Sequence, residues 1–195
     1  MNLGLKLWPD IILQKKTYQV TDFSEILTEK SQAMFRLLDS MQGLGLAGPQ
    51  AGLSESIIIF NVEGRKETLV NPIILQSSED KQTLEEGCLS FPGFYVSVTR
   101  SKTLTVQYQD LGNNTQTIEA SGMLAQVLQH EIDHLEGKVF TKYLSKLKRD
   151  YAHSKMNKFK KKVILRRQEY ERQTRELEQQ SGKDSGLYDF SLPRE

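Results

Sequence analysis

The segment Met123-Leu124-Ala125-Gln126-Val127-Leu128-Gln129-His130-Glu131-Ile132-Asp133-His134-Leu135 decides how the chain is read. Its apolar residues recur at helical spacing, with Ser121 ahead as an N-cap and Gly137 just past the end as a stop. On a helix, His130 and His134 stand one turn apart on one face, so both imidazoles can grip one metal ion. Glu131 lies about 100° round from His130. It can reach a water on that ion without serving as a ligand, which makes it the candidate general base. H-E-x-x-H strings also arise by chance on surface helices. A catalytic site needs a third protein ligand and an open position, so the source of that ligand discriminates.

A metzincin-type protease would carry a third His after a glycine. Gly137 fits the glycine, but Phe140 stands where the His belongs. The other common protease ligand is a downstream Glu, and Glu169 sits in a strongly cationic stretch that suits it poorly. Upstream, Glu85-Glu86-Gly87-Cys88-Leu89-Ser90 holds the chain's single cysteine in what reads as a loop between strand-like segments. A lone Cys is commonly a small buried hydrophobe. Beside this helix, Cys88 is the better third ligand. One thiol also excludes an intramolecular disulfide framework and fits a reducing compartment.

Outward from these motifs, Phe23, Ile26, Leu27, Met34, Leu37, Leu38 and Met41 predict a helix over Asp22 to Gln42, with Asp22 and Glu25 as a capping box and Gly43 as its stop. Gly43 to Gln50 reads as a glycine-rich turn that lets backbone approach a ligand closely. Strand-like runs follow at Ile57 to Val62, Leu69 to Leu75, Tyr95 to Val98, Leu104 to Tyr108 and Thr115 to Ile118. Leu144, Leu147, Tyr151, Met156, Phe159, Val163 and Tyr170 outline a C-terminal amphipathic helix. Segregated strands and helices predict an α+β fold: antiparallel sheets around a central metal-binding helix, then the C-terminal helix.

The chain of 195 residues is near one domain in length, with residues 1–172 expected to form it and residues 173–195 a polar, disordered tail. No apolar run approaches the roughly 18 to 20 residues that span a bilayer, so no membrane partner is expected. The opening MNLGLKLWPDIILQKK lacks the charged start and apolar stretch of a signal peptide, which predicts the cytosol. The net charge of +1 hides an asymmetry. Residues 1–137 carry 10 Lys/Arg against 17 Asp/Glu, whereas residues 138–172 carry 13 against 3. Such a run is commonly a solvated helix face, and its functional alternative is an anionic partner.

Three segments in order, Gly43 to Gln50, Glu86-Gly87-Cys88-Leu89-Ser90 and His130 to His134, resemble the three motifs of the peptide deformylases, with weaker similarity over roughly residues 5–165. Two positions depart from the family: Gly48, usually a small residue such as Ala, and Gln126, where the substrate-pocket wall tends to be apolar. The resemblance implies hydrolysis of the formyl group from formyl-methionyl nascent chains, with release of formate. It implies that Cys88, His130 and His134 bind one ion, Fe(II) by preference. The donor set also suits Zn(II), Ni(II) or Co(II). Glu131 then acts as base and acid on the ion-bound water, and the Gln50 amide and Leu89 N–H stabilise the oxyanion. Glu86 and Arg100 resemble a pair that braces the Cys88 segment.

Met123 and Val127 share the His130 face and, with Leu44 and Leu46, are candidates for an apolar pocket for the methionine side chain. The Leu44-Gly45-Leu46 backbone or the loop after Ser90 is a candidate to pair with an extended peptide. The resemblance also suggests that the basic stretch, through Lys158, Lys160, Lys161, Lys162, Arg166 and Arg167, contacts ribosomal RNA. No sequence-reading nucleic-acid fold is evident, so DNA is not an expected partner. The rivals are an H-E-x-x-H endopeptidase and a catalytically silent RNA-binding relative.

Overall fold

Among the described residues, seven strands and three α-helices carry the fold, with three short 3-10 turns. The structure, a computed structural model, describes residues 1–181, without the side chains of residues 167 and 176–181. The elements are α1 (Glu25–Ser40), β1 (Gly45–Ala47), β2 (Ile57–Val62), β3 (Arg65–Ser77), β4 (Lys81–Gly87), β5 (Tyr95–Ser101), β6 (Thr103–Gln109), β7 (Thr115–Ser121), α2 (Gly122–Leu135) and α3 (Lys146–Ser181). Strands β1-β2-β3-β6-β7 form one antiparallel sheet and β4-β5 a separate antiparallel ribbon, which is the α+β arrangement expected.

The sheet is covered on both faces. Ile58, Phe60, Val106 and Ile118 pack against Ala125, Val127, Leu128 and Leu135 of α2. From the opposite face, Ile57, Ile59 and Val70 pack against Leu27, Met34 and Leu38 of α1. Double coverage explains why Ile57-Ile58-Ile59-Phe60 is apolar without alternation: all four are fully buried, each stabilised by roughly 1.5 to 3 kcal/mol. Helix α2 is thereby pressed into the centre of the fold. It ends where expected: Gly137 takes φ 68, its N–H donates to the His134 carbonyl and that of Lys138 to the Asp133 carbonyl.

Several local expectations are corrected. Helix α1 has Ser24 as its N-cap, not an Asp22/Glu25 capping box, because Asp22 accepts from the Ser24 N–H and hydroxyl. Its left-handed terminal residue is Gln42 (φ 53), and Gly43 instead donates its N–H to the Leu38 carbonyl. Ser121 caps α2 by backbone alone. The central part of the glycine-rich turn is strand β1, paired with β2, and Glu85, Glu86 and Gly87 lie in strand β4 rather than a loop.

Compact grouping divides the chain at Asn157, within α3. In the first unit, Met156 of the expected apolar face of α3 is buried, together with Ala152, whereas Leu147 (81% exposed) and Tyr151 (64% exposed) face solvent, contrary to expectation. The second unit starts at Lys158, and its helix continues through Ser181, past residue 172 where the tail was expected. The rest of that tail, residues 182–195, and the side chain of Arg167 lie outside the described residues. Among the described residues, no helix is long and apolar enough to cross a membrane.

Candidate metal centre and active site

Strand β4 and helix α2 converge on one point. Cys88 leaves the end of β4 in a turn closed by the Phe91 N–H on the Cys88 carbonyl, 2.8 Å. His130 and His134 come from consecutive turns of α2, and all three side chains are buried. One donor atom from each lies within 4.8 Å of the others, and the Cys88 Sγ is 3.3 Å from the His134 Nε2. A thiol and two imidazoles this close, out of water, are the donor chemistry of a tetrahedral metal site with one position left over. Burial holds His134 well below its usual pKa, so its ring nitrogen is an available lone pair.

Glu86 orients His130. The His130 Nδ1–H donates to Glu86 Oε2 at 2.8 Å, which fixes the tautomer and turns the Nε2 toward the centre. The Arg100 Nη2 donates to the same oxygen at 3.0 Å, and its Nε donates to Oε1. Burial opposes ionisation of Glu86, but the hydrogen bonds and charges of His130 and Arg100 hold its carboxyl at about 2. Arg100 in turn donates to Asp133 Oδ2 at 2.8 Å, which also accepts from the Tyr143 hydroxyl at 2.7 Å. The guanidinium lies 4.8 Å from the Tyr143 ring centre. Asp133 and Tyr143 therefore belong to the network behind the site.

Gln50 and Glu131 face this centre from two directions. Gln50 is 1% exposed; its Oε1 accepts the Ala47 N–H at 2.8 Å, which aims the Nε2 at Cys88 Sγ, 3.5 Å away. The Lys6 N–H bonds the Gln50 carbonyl at 2.7 Å and the Trp8 N–H bonds the Ser90 carbonyl at 3.1 Å, so the N-terminal segment ties both loops together. Glu131 is buried, and its Oε2 has no partner among the described residues. Burial pushes its carboxyl up to about 7. Gly45 leaves the room Glu131 occupies: a Cβ there would fall 2.6 Å from Glu131 Oε1 and 2.8 Å from Val127 Cγ1. Gly48 is likewise required, because a Cβ would fall 2.7 Å from the Glu55 carbonyl oxygen.

A cavity of about 370 Å³ opens onto these groups. Leu44, Gly45, Met123 and Val127 line it as expected, together with Leu89, Gln50 and Glu86. Leu46 does not. Its side chain is fully buried against α1 in the core, because strand alternation turns it away from the site. Phe91 and Phe94, from the loop after Ser90, and Tyr95 at the start of β5 join the lining. A hollow of about 560 Å³ over β3, β6 and β7 is lined by Gln76, Thr103, Glu119 and other residues that include no His or Cys, and offers no comparable chemistry.

An antiparallel α+β scaffold that sets a buried acid beside a thiol and two imidazoles defines a class, that of hydrolases with a candidate metal centre. The sequence pattern of the polypeptide deformylase family matches residues 4–150. The peptide deformylase of Endomicrobium trichonymphae is 41% identical over 162 residues, which are 82% of this chain and 96% of that protein. That of Brucella suis is 40% identical, over 80% of this chain and 91% of the relative. Among solved structures, the peptide deformylase of Ehrlichia chaffeensis superposes with a TM-score of 0.81 at 36% identity, covering 84% of this chain and 99% of that one. Another crystal structure of the Ehrlichia enzyme, in complex with actinonin, gives a TM-score of 0.77 at 39% identity, over 80% and 96% of the two chains. The chain belongs to the peptide deformylase family.

Proposed function

We propose that this protein removes the formyl group from formyl-methionyl nascent chains in the cytosol, releasing formate, at one ion held by Cys88, His130 and His134. The observation that carries the reading is the buried donor set, within 4.8 Å, beside a buried Glu131 whose Oε2 has no partner among the described residues. Family membership favours Fe(II), and the same donors suit Zn(II), Ni(II) or Co(II). When bound, such an ion lowers the pKa of a water and polarises a carbonyl.

The chain's own residues do the rest. Glu131, buried beside the donor set, takes the proton of the attacking water and returns it to the departing amine. The Gln50 Nε2 and the Leu89 N–H donate to the formyl oxygen as it gains charge, a contribution typically worth about 100- to 1000-fold per donor. Glu86 and Arg100 keep the His130 ring turned to the ion. Leu44, Met123 and Val127 receive the methionine side chain. Strand β1 is terminal in its sheet and Gly45 lines the cavity, so the Gly45 backbone is our candidate to pair with an extended peptide.

For the basic stretch of residues 138–172, our reading is backbone contact with ribosomal RNA, which would place the enzyme where formylated chains emerge. The test of the reaction is formate release from formyl-Met-Ala-Ser by Fe(II)-loaded protein prepared without oxygen, with acetyl-Met-Ala-Ser alongside. Release from the formyl peptide alone is expected. Cleavage of an unformylated peptide would instead favour an endopeptidase.

A further inference from the structure

We infer that Gln126, through the Glu86 carboxylate, is a positioning residue for the metal ligand His130. The inference rests on the reading of Cys88, His130 and His134 as ligands. Gln126 is 2% exposed and precedes His130 by one turn of α2, so both residues face β4. Its Nε2 donates to Glu86 Oε1, the oxygen that also accepts from the Arg100 Nε, while Glu86 Oε2 accepts from His130 and the Arg100 Nη2. Only the NH₂ end of the amide can face an ionised carboxylate, so the orientation of Gln126 is fixed. Its second N–H points to the Val98 carbonyl on β5 at 3.5 Å, and its Oε1 has no partner among the described residues.

Gln126 thus pegs α2 to both strands of the β4-β5 ribbon, with the bonding oxygen of Glu86 in between. An apolar side chain of similar size would fill the same space. It would leave Glu86 Oε1 to the Arg100 Nε alone, so the carboxylate plane loses one of the four bonds that set Oε2 against the His130 Nδ1 and can shift with the Arg100 fork. His130 would then lose the partner that fixes its ring, and the ion would be held less tightly. Since Gln126 also lines the cavity, one residue serves both the pocket wall and metal retention, and a change of pocket shape here alters both.

The test is anaerobic titration of the metal-free protein with Co(II), read from the thiolate charge-transfer band and the visible d–d bands. The variants are Gln126→Met, which keeps the volume without a donor, and Gln126→Glu, which turns a like charge on Glu86. Each variant is checked for a cooperative melt. The parent is expected to bind one Co(II). Affinity should fall about 3- to 10-fold in Gln126→Met and about 10- to 100-fold in Gln126→Glu, with altered d–d intensity. A role in packing alone would lower the melting midpoint and leave the Co(II) affinity in place. If the parent binds Co(II) and Gln126→Met binds within twofold of it, the inference is overturned while the metal reading stands. No charge-transfer band in the parent overturns both.

Discussion

Alanine at Gly45 tests the site through a single carbon. Gly45 lies in β1 opposite Phe60, and its φ is not positive, so alanine suits its backbone. The obstacle is space: the new Cβ falls 2.6 Å from Glu131 Oε1 and 2.9 Å from Glu131 Cγ. Ordinary contact is about 3.5 Å, so the carboxylate must retreat by about 1 Å. A misplacement of about 1 Å at a reacting group costs about 100-fold in rate. Overpacking adds about 1 to 3 kcal/mol of destabilisation, which for a chain of this size lowers the melting midpoint by about 2 to 12 °C. The assay is steady-state formate release from formyl-Met-Ala-Ser with metal content and melting measured on the same sample. Gly4→Ala serves as the control, because nothing lies within 4 Å of a Cβ there. A folded, fully metallated Gly45→Ala with kcat within threefold of the parent would refute the idea that Gly45 exists to seat Glu131.

Three further outcomes are expected. Gln50→Leu should keep its metal and lose about 100- to 1000-fold in kcat, because the Ala47 N–H no longer aims a donor at the centre; metal analysis beside kinetics decides this. Arg100→Met leaves the buried Glu86 carboxylate without its cation and should destabilise the fold by about 3 to 5 kcal/mol in denaturant titration. Changing Lys160, Lys161 and Lys162 together to Gln should leave formate release unchanged and weaken cosedimentation with ribosomes, with the slope of log affinity against log salt reduced by about one per lysine. Unchanged cosedimentation would remove the RNA-contact reading.

Much of the site was legible because its chemistry is carried by short local spacings. His130 and His134 need only a helical turn between them, and Cys88 stood out as the one thiol. What escaped was set by distant partners. Strand β4 has only Leu84 as an apolar residue, since it pairs in a two-stranded ribbon with much of its surface exposed, so no hydrophobic alternation announced it. Strand β1 was hidden by Gly45, whose lack of a side chain answers Glu131 across the core rather than any local turn. The tie of Asp133 and Tyr143 to Arg100 and the bond from Gln126 to Glu86 join residues between 10 and 43 positions apart. On α3, Leu147, Tyr151 and Met156 fit a helical apolar stripe, yet of these three Met156 alone is buried, with Ala152 beside it, because burial follows which side meets the body of the first unit.

The central claim is that Glu131 moves the proton at a centre held by Cys88, His130 and His134. The most direct measurement is formate release by Glu131→Gln at full metal occupancy, compared with the parent. Glutamine keeps the size of the side chain and removes its basicity, so the account predicts one bound ion per chain and a rate lower by about 100- to 10,000-fold. A fully metallated Glu131→Gln that releases formate at the parental rate would contradict it.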